Sequence, residues 1–336
     1  MNPPPLPRKS PRRGWLIAVI ALSVMLGLSL LVNLGAIISS SFRTADLAYT
    51  RGGSDQFPRL VERWSYGYGD VKVARIALNG IIVRRESSGM FGGYVDKIGA
   101  VKRQIQAAIN DQSVACILFE VDSPGGGITP SDELYRALLR FKESRSDRKV
   151  VAFTRDMAAS GGYYTALAAD WIIAEPTSIV GSIGVIMQSL NWKKLTDDIG
   201  IRDVTIKSGS NKDMLNPFQE TDEGQLVLLQ GMIDTMHDRF KSLVSTNRNI
   251  DEAALDELAD GRIFTSDQAL DHSLIDQIGY WEDAAERTRE LLGVESVRFV
   301  RYTQQTDLLT LLTQARLPVP GPTSLMDLQT PRMMYL

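Results

Sequence analysis

From residue 71 to about residue 200, short apolar runs alternate with helical patterns. This alternation constrains the fold of the 336-residue chain more than any other feature. Val71 to Leu78, Val114 to Val121, Lys149 to Phe153 and Trp171 to Ala174 read as strands, the second apolar throughout except for Glu120. Between them, Ile98, Val101, Ile105 and Ala108 recur at helical spacing, and Leu134, Ala137, Leu138 and Phe141 form a second stripe of the same kind. That second helix has a start signal, with Thr129 as N-cap, Pro130 at the first helical position and Asp132 at the third. Strands that alternate with helices pack as βαβ units, so the expected class is α/β with a largely parallel sheet.

The same reading carries through the rest of the chain. Residues 86–93 form a glycine-containing loop. A glycine-broken apolar segment, Val180 to Met187, precedes a polar loop from Lys207 to Asp213. A long helix from about Asp222 carries Leu226, Leu229, Ile233, Met236, Phe240 and Leu243 in steps of three and four. Shorter helices over 251–261 and 265–272, a helix from Trp281 to Leu292 and a strand from Val297 to Tyr302 complete a domain spanning 71–302. The extension 303–336 has a short helical pattern at Leu308 to Leu312. Its tail carries Pro318, Pro320, Pro322 and Pro331, so it is expected to be extended or partly disordered.

Ahead of the domain, residues 1–13 are proline-rich and carry Arg8, Lys9, Arg12 and Arg13, whereas Gly14 to Phe42 contains no charged residue. An apolar run of about 20 residues spans a bilayer core of ~30 Å, so 14–42 is expected to be a transmembrane anchor. The flanking cations predict a cytoplasmic N-terminus and an external domain, the topology of a single-pass membrane protein. A cleaved signal peptide is the alternative, with Ser39-Ser40-Ser41 as a place to cut, although the apolar stretch is long for one. Residues 43–70 are polar and read as a linker.

Formal net charge is −3, which gives no basic excess to suggest a nucleic-acid partner. The one cysteine, Cys116, lies in an apolar run and reads as an inert core residue, so neither an intrachain disulfide nor a cysteine metal site is expected. No metal or cofactor is expected. The two histidines, His237 and His272, lie on a helix flank and in a polar turn, neither a setting that recommends a catalytic role.

Ser160 stands where a strand runs into an alanine-rich helical pattern, followed by Gly161 and Gly162. Such a junction fits a plain N-cap, and it equally fits a nucleophile beside backbone donors for a developing oxyanion. A nucleophilic serine needs a base, and with histidine scarce the alternative is a lysine. A lysine base must be desolvated so that its neutral form is populated. Lys212 stands out, in a glycine-serine loop between two elements, where a solvated surface lysine is the ordinary reading. The turn Ser123-Pro124-Gly125-Gly126-Gly127 ends a parallel-type strand, where ligands collect in open α/β sheets. Its glycines let backbone approach a substrate, and their N–H groups could join that of Gly161 in an oxyanion hole.

Four segments occur in order: Asp122 to Gly127; Ala158-Ala159-Ser160-Gly161-Gly162-Tyr163-Tyr164; Gly181-Ser182-Ile183-Gly184-Val185; and Lys207-Ser208-Gly209 through Lys212-Asp213. Together they resemble the signal peptide peptidase A (SppA) family in its short bacterial form, over roughly residues 70–300. The resemblance implies a membrane-anchored serine protease with a ClpP/crotonase-like repeated β-β-α superhelix. It implies a Ser-Lys dyad of Ser160 and Lys212, with Ser182 orienting the lysine. Backbone N–H groups of Gly161 and of Gly125 or Gly126 would hold the oxyanion. It further implies a homo-oligomer whose sites are completed at subunit interfaces, with signal-peptide remnants and other apolar or unfolded peptides as substrates. Two other classes remain: a crotonase-type acyl-CoA enzyme, and an inactive oligomeric membrane scaffold.

Overall fold

The computed structural model describes residues 19–31, 33, 54–84, 86–87, 94–304 and 333–335. The chain divides into two units, residues 1–53 and 54–336. In the first, helix α1 covers residues 19–31, and its side chains are exposed. Among the described residues, no helix is long and apolar enough to cross a membrane. The transmembrane helix expected over 14–42 is therefore not seen at that length, and residues 14–18, 32 and 34–42 of it lie outside the described residues.

The second unit runs β1 (Val61–Tyr66), β2 (Lys72–Asn79), β3 (Glu86–Ser87), β4 (Tyr94–Val95), α2 (Lys97–Asn110), β5 (Val114–Ser123), β6 (Gly126–Gly127), α3 (Ile128–Glu143), β7 (Lys149–Ala159) and α4 (Gly161–Ala166). It continues with β8 (Trp171–Ala174), β9 (Ile179–Gly181), β10 (Ile186–Met187), α5 (Lys193–Asp198), α6 (Glu223–Arg248), α7 (Glu252–Leu258), β11 (Ile263–Thr265), α8 (Ser266–Asp271), β12 (Gln277–Ile278), α9 (Trp281–Leu292), β13 (Arg298–Thr303) and β14 (Met333–Tyr335). The main sheet runs β1-β13-β2-β5-β7-β8-β12. Along this path every pair is parallel except β1 on β13, and off it β9 pairs parallel with β7 and antiparallel with β11. One edge of β7 is shared, with β8 along Val151–Thr154 and β9 along Met157–Ala159.

Alternation along the strands builds two apolar layers. Ala74, Ile76, Leu78, Ile117, Phe119, Val121, Val150 and Ala152 pack with α2, α3 and α4. Val73, Cys116, Leu118, Val151, Phe153 and Ile173 pack on the opposite face, with Ala284 and Ala285 of α9. Glu120, the interruption in the β5 run, is buried and paired with Arg75 (2.5 Å) and Arg155 (3.0 Å). The expected stripes of α2 and α3 are the buried ones. Cys116 is fully buried, and burial pushes its thiol well above the usual range, leaving it inert.

Several boundaries differ from those read in the sequence. The stretch 43–70 contains β1, held antiparallel on β13. Helix α3 begins at Ile128 with Gly127 as its N-cap, ahead of Thr129, because the chain turns directly out of β6. In the extension 303–336, residues 333–335 form a strand between β6 and β10, while Leu308 to Leu312 lie outside the described residues. Only Leu229, Phe240 and Val244 of α6 are buried. Leu226 is 44% exposed, so within one chain the first half of this helix has little to cover its apolar stripe.

Candidate active site

Strand β7 runs on past Phe153 to Ala159, so the strand ends directly at Ser160. There the chain reverses into α4 with Ser160 at φ 52° and ψ −117°. For a non-glycine residue such backbone costs on the order of 1–3 kcal/mol, and strained strand-to-helix serines of this kind present their hydroxyl at the turn. Two backbone hydrogen bonds hold the strain: Ser160 N–H donates to Gly181 O (2.7 Å) and Tyr164 N–H donates to Ser160 O (2.8 Å). Two tyrosine hydroxyls tether the short helix, Tyr163 donating to Leu274 O (2.8 Å) and Tyr164 to Asp132 Oδ1 (2.6 Å). The Ser160 side chain is fully buried, and its Oγ has no hydrogen-bond partner. Leaving a buried hydroxyl unsatisfied costs roughly 1–3 kcal/mol, and the Ser160 side chain does not recover it by capping α4.

The glycine turn packs against this serine. Ile82 grips it as a bridging strand: its N–H donates to Gly125 O (2.8 Å), and its carbonyl accepts from Gly127 N–H (2.9 Å). The Gly125 N–H donates to Ser123 Oγ (3.1 Å), which itself donates to Gly80 O (2.7 Å). Backbone groups alternate along a strand, so the Gly126 N–H faces away from Ile82. A Cβ on Gly161 would sit 3.3 Å from Gly126 N and 2.4 Å from Ser131 Oγ. The turn and the start of α4 are therefore in backbone contact. Gly126 itself has φ +152°, and a Cβ there would lie 2.4 Å from Ile82 O. Only glycine fits both demands.

Strand β14 lies on the free edge of this turn, pairing antiparallel through Tyr335 with Gly126 and Met334 with Gly127. Its other edge pairs with β10, Met334 opposite Ile186 and Met333 opposite Met187. An extended segment of the chain thus occupies a slot between β6 and β10 beside Ser160.

Ser182 follows Gly181, whose carbonyl holds Ser160. It is buried, has φ 51°, and its N–H donates to Arg262 O (2.8 Å). Lys212 is placed differently. It is exposed, in the turn ahead of α6, with its N–H donating to Gly209 O (3.1 Å). Its neighbour Asp213 is held by Lys207 (2.6 Å). One chain therefore brings together Ser160, Gly161, Gly125, Gly126 and Ser182, and does not bring Lys212 to hydrogen-bond distance of Ser160 Oγ. Sequence reasoning missed Ile82, Ser131 and the β14 strand. Asp132 was visible only as an acidic residue in a helix start, whereas its side chain bonds Tyr164 and Arg239.

Residues 142–295 match the model of Peptidase family S49. The chain is 32% identical over 302 residues to a protein of Enterococcus faecium provisionally named signal peptide peptidase SppA, covering 88% of this chain and 86% of that one. It is 34% identical to a provisionally named protease of Synechocystis sp., covering 67% of this chain and 76% of the relative. It is 28% identical to the chloroplastic serine protease SPPA of Arabidopsis thaliana, covering 65% of this chain and 32% of the relative.

Proposed function

We propose a serine endopeptidase, from the premise that the chain belongs to peptidase family S49. One observation carries the reading toward peptides. The slot beside Ser160 already takes an extended strand, paired by backbone on both edges, and an extended backbone is how a protease grips its substrate. A slot of this kind favours peptide over acyl-CoA.

In the proposed reaction, within a ClpP/crotonase-like β-β-α framework, Ser160 Oγ attacks the scissile carbonyl carbon while a neutral Lys212 amine takes its proton. The oxyanion accepts from the N–H groups of Gly161 and Gly126. Gly126 is preferred to Gly125 because the latter's N–H is tied to Ser123 Oγ within the turn, whereas the Gly126 N–H faces the edge that β14 takes and a substrate would take in its place. Collapse breaks the C–N bond, the lysine returns the proton to the leaving amine, and water then hydrolyses the serine ester by the same route in reverse. Ser182 orients the lysine.

The lysine comes from a neighbouring copy of the chain. Ser160 Oγ is unpartnered, Lys212 is exposed, and the segment before it presents Leu190, Ile199, Ile201, Val204 and Ile206 at 65%, 61%, 56%, 85% and 98% exposure. Exposed apolar side chains at this density mark an interface. Burial there would also favour the neutral amine that the base requires. The charge-free stretch 14–42 anchors the assembly in the membrane with the catalytic unit outside, and remnant signal peptides are the substrates.

The test is turnover of an unfolded protein and of apolar peptides by purified oligomer. Ser160→Ala and Lys212→Ala should each abolish cleavage while fold and subunit number persist. Undiminished cleavage by Lys212→Ala sinks the dyad, and undiminished cleavage by Ser160→Ala sinks the site.

A further inference from the structure

One helical turn after Ser160, the side chain of Tyr164 is fully buried where three helices meet. Its hydroxyl donates to Asp132 Oδ1 of α3 at 2.6 Å. Arg239 of α6 closes the group: Nε donates to the Tyr164 oxygen at 3.2 Å and Nη2 to the same Asp132 Oδ1 at 2.6 Å. The phenol ring is held edge-on by Tyr135 of α3 at 5.6 Å and tilted by Phe240 of α6 at 5.1 Å. Burial by itself would raise the Asp132 carboxyl, but the hydrogen bonds from Tyr164 and Arg239 outweigh it and hold the group below its usual range. Asp132 in turn holds the Arg239 guanidinium cationic.

Helix α6 connects this group to the other half of the proposed site. Its start is capped by Asp222, which accepts from Gln225 N–H (2.9 Å). From the same turn, Gln225 Nε2 donates to Ser210 O (3.2 Å), two residues before Lys212. From Gln225 to Arg239 the helix is a rod of about 20 Å. The backbone side of Tyr164 meanwhile holds Ser160, through its N–H on the Ser160 carbonyl. A continuous chain of contacts thus runs from the nucleophile turn through Tyr164, Asp132 and Arg239 to the lysine turn.

We propose that Tyr164, Asp132 and Arg239 form a positioning clamp that fixes the nucleophile helix against the helix carrying the Lys212 turn. This rests on the reading of Ser160 as nucleophile and Lys212 as base. Because each chain lends its lysine to a neighbour, the clamp sets the spacing between the site a chain owns and the site it serves. Loosening it misplaces Ser160 relative to an incoming lysine without touching the slot that binds peptide. The effect therefore falls on kcat and spares KM.

The experiment measures kcat, KM and Tm for Tyr164→Phe, Arg239→Ala, Asp132→Ala and Asp132→Asn in the full-length oligomer. The first three should lose about tenfold or more in kcat with KM within roughly twofold. Asp132→Asn keeps an oxygen that accepts from both donors, so its kcat should stay within about threefold of the parent. Thr288→Ala, which removes a buried hydroxyl bonded to Ala284 O (2.7 Å) on α9, serves as the matched control: it should lower Tm and leave kcat unchanged. Parental kcat in both Tyr164→Phe and Arg239→Ala overturns the clamp, as does a kcat that follows Tm across all variants, Thr288→Ala included. Arg239 is half-exposed, so its variant reports even where Tyr164→Phe fails to fold. Cleavage retained by Ser160→Ala would instead refute the underlying peptidase site, which keeps the two failures apart.

Discussion

The contact between the two glycine backbones at the site can be tested by filling it. In Gly161→Ala the new Cβ would lie 2.4 Å from Ser131 Oγ, roughly 1 Å inside ordinary contact. Ser131 is fully buried, and its hydroxyl is committed to Gly127 O at 2.9 Å, so it has nowhere to retreat without losing that bond. Overpacking of this kind costs about 1–3 kcal/mol and the lost hydrogen bond about 1. The lower unfolded-state entropy of alanine returns about 0.4–1. A net loss of about 1–3 kcal/mol corresponds to a fall in Tm of roughly 3–10 °C for a domain of this size. The activity loss should be larger than this stability loss implies. The atom that must move is hydrogen-bonded to the Gly127 carbonyl, one residue after Gly126, and displacing an oxyanion donor by ~1 Å costs about 100-fold in rate. Removing the obstacle should reverse both effects. In Gly161→Ala with Ser131→Ala the closest remaining neighbour is Gly126 N at 3.3 Å, tight but tolerable. The double variant should recover more than about tenfold in kcat and most of the Tm, a coupling of about 1–2 kcal/mol in a double-mutant cycle. Strictly additive losses, or parental activity in Gly161→Ala alone, would refute the proposed geometry.

Mixing tests the shared site: inactive Ser160→Ala and Lys212→Ala chains, co-assembled, should regain part of the parental rate, and no recovery at any ratio argues for a site completed within one chain. A chain ending at residue 332 lacks β14, so the slot between β6 and β10 is open to added peptide; KM for peptides should fall with kcat little changed, and an unchanged KM means the strand does not compete. At Asp111, burial raises the carboxyl, but hydrogen bonds from Ser113 and Lys72 outweigh it and hold it down at about 2. That is below its unfolded value, so the stabilisation is complete above about pH 4 and is lost as pH falls towards 2. Asp111→Asn should be less stable than the parent at pH 7 and should lose stability less steeply over that window, checked by denaturant midpoints; parallel curves would refute the assignment.

Most of the fold was legible because its determinants are local. The stripe Ile98, Val101, Ile105, Ala108 and the stripe Leu134, Ala137, Leu138, Phe141 are the buried faces of α2 and α3, since a three-four spacing has one geometric solution on a helix. The start of α6 was equally plain, because Asp222 caps it with its own side chain. What failed was set at longer range. The strand character of Val61 to Tyr66 exists only because β13, from the far end of the domain, offers an edge. Residues 333–335 likewise become a strand by fitting between Gly126-Gly127 and Ile186-Met187. Neither segment carries an apolar alternation strong enough to announce a partner so distant in sequence.

The candidate site divides along the same line, and the division itself is informative. Ser160 and Gly161 were readable because a strained serine between a strand and a helix needs small neighbours and Gly161-Gly162 follow it directly, while the Gly125-Gly126 turn was readable from its own place at the end of a parallel strand. Ser182 was legible only through the resemblance, since its place one residue beyond the carbonyl that holds Ser160 is a long-range contact. Lys212 has no such local signature. A base that must be buried to work, yet is exposed in its own chain, acquires its environment only from another surface. The apolar residues that would supply that surface, Val204 and Ile206 among them, look like errors of folding in a solitary chain. They become intelligible once half of the catalytic pair is assigned to a neighbour. On this reading dilution should silence the enzyme before it unfolds it, because the assembled state, rather than the folded chain, is what holds the lysine against the serine.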